Sequence, residues 1–313
     1  MTDAYSFGDE DPPIDEDDLP EIDPEEIDPE EIDPDEIDPD ELDPDDVAAA
    51  AGIDPEAKPA PAFDLDDPMR PVKGPPSTVD PDAEVANPDT KIPARQDMME
   101  ALEKAFSAEE GIEEGLLERY ADHAELVLEG NRTMNLTANL DPFDLAAKDY
   151  LDCWRATRLL PLMGRSVCDL GSGPGFPGIP IAMAEPHTRV MMVDSTRRRA
   201  EFLNEVIEKL KLKNCSAVWD RGEEHLARNK YDMVVMRGVS SVRENVRTLR
   251  KVRHSHKDLV MLKGPSWSRE TRAGEREVER LGFRLDTVWE HMLPIDKGAR
   301  AVLVFRAPGG MGE

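Results

Sequence analysis

The residues best placed to do chemistry run from Asp169 to Gly178, in the order Asp-Leu-Gly-Ser-Gly-Pro-Gly-Phe-Pro-Gly. The glycines at Gly171, Gly173, Gly175 and Gly178 let a chain turn sharply. They also let a ligand approach the backbone with no Cβ in the way. An apolar strand-like run precedes them at 167–170, and a helix-length segment follows at 179–184. A helix N-terminus adds unpaired N–H groups. This is the pattern of a nucleotide-type cofactor loop at the carboxyl end of a strand. Two chemistries fit it. Gly173-x-Gly175-x-x-Gly178 matches a dinucleotide fingerprint, a weak signal by itself. The other is the Asp-x-Gly-x-Gly-x-Gly pattern of S-adenosylmethionine enzymes. Asp169 can help hold an ammonium group, and Pro174 and Pro177 remove N–H donors that a pyrophosphate would use. Both features favour S-adenosyl-L-methionine. Asp194, ending the next strand, suits ribose hydroxyls but serves NAD equally well.

Other constellations are missing from the sequence. The fourth strand runs into Met236-Arg237-Gly238-Val239-Ser240, not the Asp/Asn-Pro-Pro-aromatic motif common in adenine amino methyltransferases. No cysteine follows a proline, as the nucleophile of cytosine C5 enzymes often does. Cys153, Cys168 and Cys215 are odd in number, far apart and form no CxxC pair, so neither a disulfide framework nor a metal site is expected. Basic residues gather in two places, Arg197-Arg198-Arg199 and the segment holding Arg243, Arg247, Arg250, Lys251, Arg253 and Lys257. On one helix, Arg243, Arg247 and Arg250 would share a face able to track phosphates.

The elements that must position these residues follow from periodicity. Apolar residues recur at helical spacing from Met99 to Val127 and predict two amphipathic helices over 95–130, with Gly111 and Gly130 as their ends. An Asn-rich connector at 131–139 and another helical stretch at 142–160 follow. Seven strands are then expected, at 167–170, 189–194, 216–220, 232–237, 258–263, 284–290 and 301–305. Helices fill the intervals between the first six, and only a loop separates the last two. That is an α/β fold: a mostly parallel, Rossmann-like seven-stranded sheet with helices on both faces and an antiparallel addition at one side. This arrangement resembles class I methyltransferases.

Charge divides the chain in two. The 313 residues carry a formal net charge of −30, but residues 1–93 account for −29 of it and for 18 of the 27 prolines. Residues 22–46 repeat with period five, as IDPEE, IDPEE, IDPDE, IDPDE and LDPDD. A proline every fifth residue prevents a continuous helix, and one aliphatic residue per repeat is too little apolar surface to offset ordering. The expected organisation is a disordered acidic tail at 1–93, a helical subdomain at 94–160 and a cofactor-binding domain at 161–313. The tail would solubilise the chain, compete with RNA for basic surface, or dock a basic partner. No apolar run approaches the roughly 18 residues of a membrane span, and the N-terminus lacks a signal-peptide pattern. A cytoplasmic protein with no membrane partner is expected.

Over residues 98–306 the chain resembles the RsmG (GidB) family, bacterial methyltransferases that act on N7 of a guanine in 16S ribosomal RNA. The resemblance rests on Asn131-Arg132, Asn135-Leu136-Thr137, Lys148 with Leu151-Asp152, and Asp169 through Pro180. It continues through Asp194-Ser195, Phe202-Leu203, Arg221 with Glu223-Glu224, Arg237, Leu262-Lys263-Gly264, and Gly298 with Arg300. It implies that Gly171 and Phe176 line the cofactor, Gly222 and Glu223 flank its adenine, and Arg237 sits at the cofactor–substrate junction. Asn135, Lys148 and Lys263 would face the RNA, with Arg197 among its phosphate contacts. The chain departs from the family where Asp149 replaces a common His, Gly130 a Trp and Met134 an aromatic residue. Guanine N7 offers an in-plane lone pair, so no general base is required and no metal is implied. The expected partner is 16S rRNA within a small-subunit particle. The alternatives are an S-adenosylmethionine-dependent methyltransferase of a small molecule or protein, and a catalytically silent, ribosome-associated binding protein.

Overall fold

The computed structural model describes residues 88–295 and 297–308. Of the tail expected over residues 1–93, residues 1–87 lie outside them. Chain order begins with helices α1 (Arg95–Phe106), α2 (Leu116–Asn131) and α3 (Pro142–Leu145), a π-helical turn (Ala146–Leu151), and α4 (Asp152–Leu159). It continues as β1 (Ser166–Leu170), α5 (Gly178–Ala184), β2 (Arg189–Asp194), α6 (Arg197–Lys209), β3 (Cys215–Trp219), α7 (Gly222–Arg228) and β4 (Tyr231–Arg237). It ends with α8 (Val242–Thr248), a 3₁₀ turn (Arg250–Val252), β5 (His256–Lys263), α9 (Trp267–Arg280), β6 (Arg284–Met292) and β7 (Ala299–Arg306).

The seven strands form one sheet in the order β3-β2-β1-β4-β5-β7-β6. The first five are parallel, and β7 pairs antiparallel with both β5 and β6. Because side chains alternate across a strand, each strand feeds two cores. Val167, Met192, Val235 and Val260 face a core shared with α1 through α6. Cys168, Val193, Val234 and Met261 face the other, built with α7, α8 and α9. The N-terminal helices thus share one core with a face of the sheet. The strand order reverses between β1 and β4, which opens a crevice beyond their carboxyl ends.

Two local expectations need correction, and a third, Gly130 as a helix end, holds to within one residue. The first helix ends at Phe106, five residues before Gly111, and Gly111 and Gly115 instead turn the chain at φ +74° and +76°. Gly130 lies within α2, where its missing side chain admits close packing: a Cβ there would come within 2.8 Å of Leu136 and Phe202. Order also begins before Ala94. Thr90 is buried, its Oγ1 accepts from Asn131 Nδ2 at 3.1 Å, and its carbonyl accepts from Arg132 Nε at 3.0 Å.

Candidate cofactor and substrate pocket

A cavity of about 690 Å³ opens at the carboxyl ends of β1, β4 and β5. That volume is within the usual range for small-molecule sites. The glycine loop, the residues after β4 and β5, the connector at 137–139 and the π-helical turn form its walls. The loop is shaped by hydrogen bonds made beneath it. Gly173 N donates to Asp194 Oδ2 at 2.9 Å, and Gly178 N donates to Asp169 Oδ2 at 2.9 Å. Gly171 adopts φ +72°, open to glycine at little cost, and Val239 packs against its α-carbon face.

Asp169 is fully buried, and its Oδ1 has no hydrogen-bond partner. Burial pushes its carboxyl up to about 7, opposed by the bonds from Ser172 and Gly178. A buried carboxylate with an unused oxygen beside a glycine cradle suits a cationic ligand group. The charge of that unused oxygen matches the ammonium end of S-adenosylmethionine, and Asp169 stands beneath the loop and not on the cavity wall itself. Asp194 accepts from Gly173 N and Thr196 N, two bonds that leave lone pairs on both oxygens.

Arg237 ends β4 and crosses the crevice toward the π-helical turn. Its Nη2 donates to the Lys148 carbonyl at 2.8 Å and to Asp149 Oδ1 at 2.6 Å, and its Nε lies 3.6 Å from Asp152 Oδ2. Its guanidinium carbon sits 5.6 Å from the Phe176 ring centroid. Burial works against its charge, but Asp149 and Asp152 hold it firmly protonated. Asp149 also accepts from Asn139 Nδ2 at 2.7 Å, and Asp152 from His291 Nε2 at 3.1 Å, if that nitrogen carries the proton. The Asp149 departure from the family pattern is therefore a partner for Arg237. Sequence reasoning did not assign it that part, although two carboxylates three residues apart on a helical stretch share a face and were a usable signal.

The structure brings Gly171, Gly173, Phe176, Arg237 and Lys263 to the cavity wall. Lys263 Nζ pairs with Glu270 at 2.9 Å and donates to the Ser240 carbonyl, fixing the segment after β4. Asp169, Gly175 and Asp194 brace the loop from behind. Gly175, at φ +104°, has room for no Cβ, with Ile179 Cγ1 only 2.6 Å from where one would stand. Gly222 and the exposed Glu223 open α7 beyond β3, apart from the cavity lining. Arg197 lies over the Trp219 ring at 5.7 Å and pairs with Glu201 at 2.8 Å. Asn135 is exposed on the connector, and Lys148 turns its ammonium to Asp144 at 3.1 Å while its carbonyl serves Arg237.

The second basic cluster does not form the expected stripe. Helix α8 stops at Thr248, the chain tightens into a 3₁₀ turn, and Arg247 pairs with Glu277 at 3.2 Å. Lys257 pairs with Asp232 at 2.8 Å near the start of β4. Five residues separate Asp232 from Arg237, about 16 Å of strand, so this end of the cluster is remote from the crevice. In the first cluster, Arg198 and Arg199 donate to the carbonyls of Thr133 and Asn135, at 3.0 and 3.1 Å, and so hold the connector. Among the described residues, no helix is long and apolar enough to cross a membrane.

A family model described as "GidB: rRNA small subunit methyltransferase G" matches residues 116–294. The "Ribosomal RNA small subunit methyltransferase G" of Desulforamulus reducens is 32% identical over 194 residues, 60% of this chain and 80% of the relative. The protein of that name from Pelotomaculum thermopropionicum is 31% identical over 207 residues, 64% of this chain and 87% of the relative. Among solved structures, an O-methyltransferase from Bacillus cereus in complex with SAH aligns with a TM-score of 0.47 at 10% identity. That alignment covers 69% of this chain and 100% of the other.

Proposed function

The chain belongs to the GidB family of small-subunit rRNA methyltransferases, and on that premise we propose that it methylates N7 of a guanine in 16S rRNA. It is an S-adenosylmethionine-dependent enzyme of the class I methyltransferase fold. One observation carries the proposal. A glycine loop and a clamped arginine face each other across the switch-point crevice, leaving a cavity between the methyl-donor side and the connector.

When bound, S-adenosylmethionine supplies an electrophilic methyl group. The chain's own residues bind, orient and exclude water. The Gly171–Phe176 loop would cradle the cofactor, with Asp169 answering its ammonium and Asp194 its ribose hydroxyls, and Gly222 and Glu223 would flank its adenine. Arg237, fixed by Asp149 and Asp152, presents N–H groups at the junction with the acceptor base. Guanine N7 carries an in-plane lone pair and no proton, so the acceptor would need no general base, and this chain would contribute orientation and a preorganised polar wall. Asn135, Lys148, Arg197 and Lys263 belong to the RNA side of this proposal, Lys148 and Lys263 through the backbone segments they steady. The preferred substrate is 16S rRNA within a small-subunit particle, in the cytoplasm. Residues 94–160 would shape the acceptor side, 161–313 would bind the cofactor, and the acidic segment that precedes Pro88 would modulate RNA binding.

Methyl transfer from labelled S-adenosylmethionine to small-subunit particles tests the proposal. The product RNA should be cleaved by borohydride and aniline, which report N7-methylguanine. Label recovered only on adenine, cytosine, protein or a small molecule overturns the assignment.

A further inference from the structure

Behind the cofactor loop lies a buried pair that the reaction scheme leaves unused. His123, on α2, and Tyr150, in the π-helical turn, have no exposed surface. His123 Nε2 is 3.0 Å from the Pro174 carbonyl in the glycine loop, and its Nδ1 is 3.0 Å from the Tyr150 hydroxyl. The chemistry of these groups fixes the direction of both bonds. A carbonyl can only accept, so Nε2 carries the proton. In a neutral ring Nδ1 then accepts, and the Tyr150 hydroxyl donates. Burial holds the ring's pKa down to about 4, so the neutral form is the one present at ordinary pH. Tyr150, His123 and Phe176 also pack ring to ring, with centroids 5.0 to 5.8 Å apart.

Tyr150 follows two residues that hold the other wall. Lys148 offers its carbonyl and Asp149 its carboxylate to Arg237. Within one π-helical turn, three consecutive residues therefore fix both the glycine loop and the arginine opposite it. Such turns are rare insertions that re-aim side chains, and they concentrate at functional sites. An α-helical register would carry Tyr150 away from His123 or Asp149 away from Arg237.

We propose that Tyr150 and His123 are positioning residues, a proton-ordered strut that sets the height of the cofactor loop relative to Arg237. The strut acts through Pro174 and touches neither substrate nor cofactor. Its purpose is alignment: acceptor nitrogen and methyl donor must lie in line, and small displacements there cost large factors in rate. The inference rests on the methyltransferase reading of the same pocket.

The test uses the full-length protein and three variants. Tyr150→Phe removes only the hydroxyl. His123→Leu removes both bonds, and His123→Gln keeps one donor and one acceptor. In the wild type without cofactor, ¹⁵N-histidine NMR should show a ring protonated at Nε2 and bare at Nδ1. Calorimetry should show affinity for S-adenosylmethionine reduced about tenfold in Tyr150→Phe and His123→Leu, the usual scale for stranding a buried polar group. Affinity should recover in His123→Gln. With small-subunit particles, kcat should fall and KM for the particle stay constant. Unchanged cofactor affinity and kcat in folded Tyr150→Phe, with only the melting temperature lowered, would reduce the pair to core packing. So would an Nδ1-protonated ring. If His123→Leu fails to fold, Tyr150→Phe and the NMR decide. Failure of the wild type to methylate any RNA would instead sink the functional reading, and the calorimetric comparison would still judge the strut.

Discussion

Buried with Oδ1 unpartnered, Asp169 keeps its proton up to about pH 7, whereas an unfolded chain releases it near 3.8. Its contribution to stability is therefore greatest below pH 3.8 and is lost as pH rises through 7. His123 runs the other way: its contribution is complete above 6.5 and lost as pH falls through about 4. A cationic ligand beside Asp169 favours the ionised carboxylate, so affinity for S-adenosylmethionine should increase from about pH 5 to about pH 7, below the range in which the ligand's own α-ammonium titrates. Binding near neutrality should release a proton, seen as a buffer-dependent calorimetric enthalpy. Asp169→Asn should remove both the pH dependence and the proton release; their persistence in that variant would clear Asp169 of the role. Gly171→Val places a β-branched residue at φ +72°, with its Cβ 2.9 Å from Val239 Cγ2. Left-handed backbone costs an ordinary residue about 1–2 kcal/mol. The variant should fold with a lowered melting temperature and lose cofactor binding; unchanged calorimetric affinity would remove this loop from the site. Much of the cofactor side was legible in the sequence because a tight, side-chain-free turn requires glycine. His123 was not, because its partners lie 27 and 51 residues away and a lone histidine on an apolar helix has no spacing signature.

The strands were legible because buried parallel strands leave continuous apolar runs, and the observed bounds differ from the expected ones by at most two residues. Helix ends were less so. Gly111 suggested a terminus, but with Gly115 it serves the turn between helices, and α1 stops where its buried face stops, at Phe106. The arginine stripe failed because spacing cannot reveal that α8 tightens after Thr248. The π-helical turn was equally invisible, since one extra residue in a helix leaves no mark on composition. Gly130 sets two element-scale effects against each other. Alanine gains about 1 kcal/mol of helix propensity over glycine. Overpacking costs about 1–3 kcal/mol, and here a Cβ would meet both Leu136 and Phe202 at 2.8 Å. Gly130→Ala should therefore be destabilising despite its helical location. Leu136 lines the cavity, so the same change should raise KM for the RNA particle. A higher melting temperature with unchanged KM would show that the connector simply gives way.

At the scale of the whole molecule, charge is the dominant asymmetry. Residues 1–87 carry a net −29 and are covalently joined to a nearly neutral remainder. In the proposed role such a segment would compete with RNA phosphates for Arg197–Arg199 at high effective concentration, and the competition would weaken as salt screens it. Removing residues 1–87 should tighten binding to unrelated RNA, most at low ionic strength, with cofactor affinity unchanged. Equal affinities at low salt would leave the segment a solubilising or partner-docking role. The cut belongs before Pro88, because Thr90 occupies the Asn131 amide. Asn131 Oδ1 in turn accepts from Leu136 N and Thr137 N, at 2.8 and 3.0 Å, and both residues line the cavity. Thr90 thus ties the start of the described chain to the connector that lines the cavity. A pull transmitted along the backbone to Thr90 would load Asn131 and the connector before it strained the sheet.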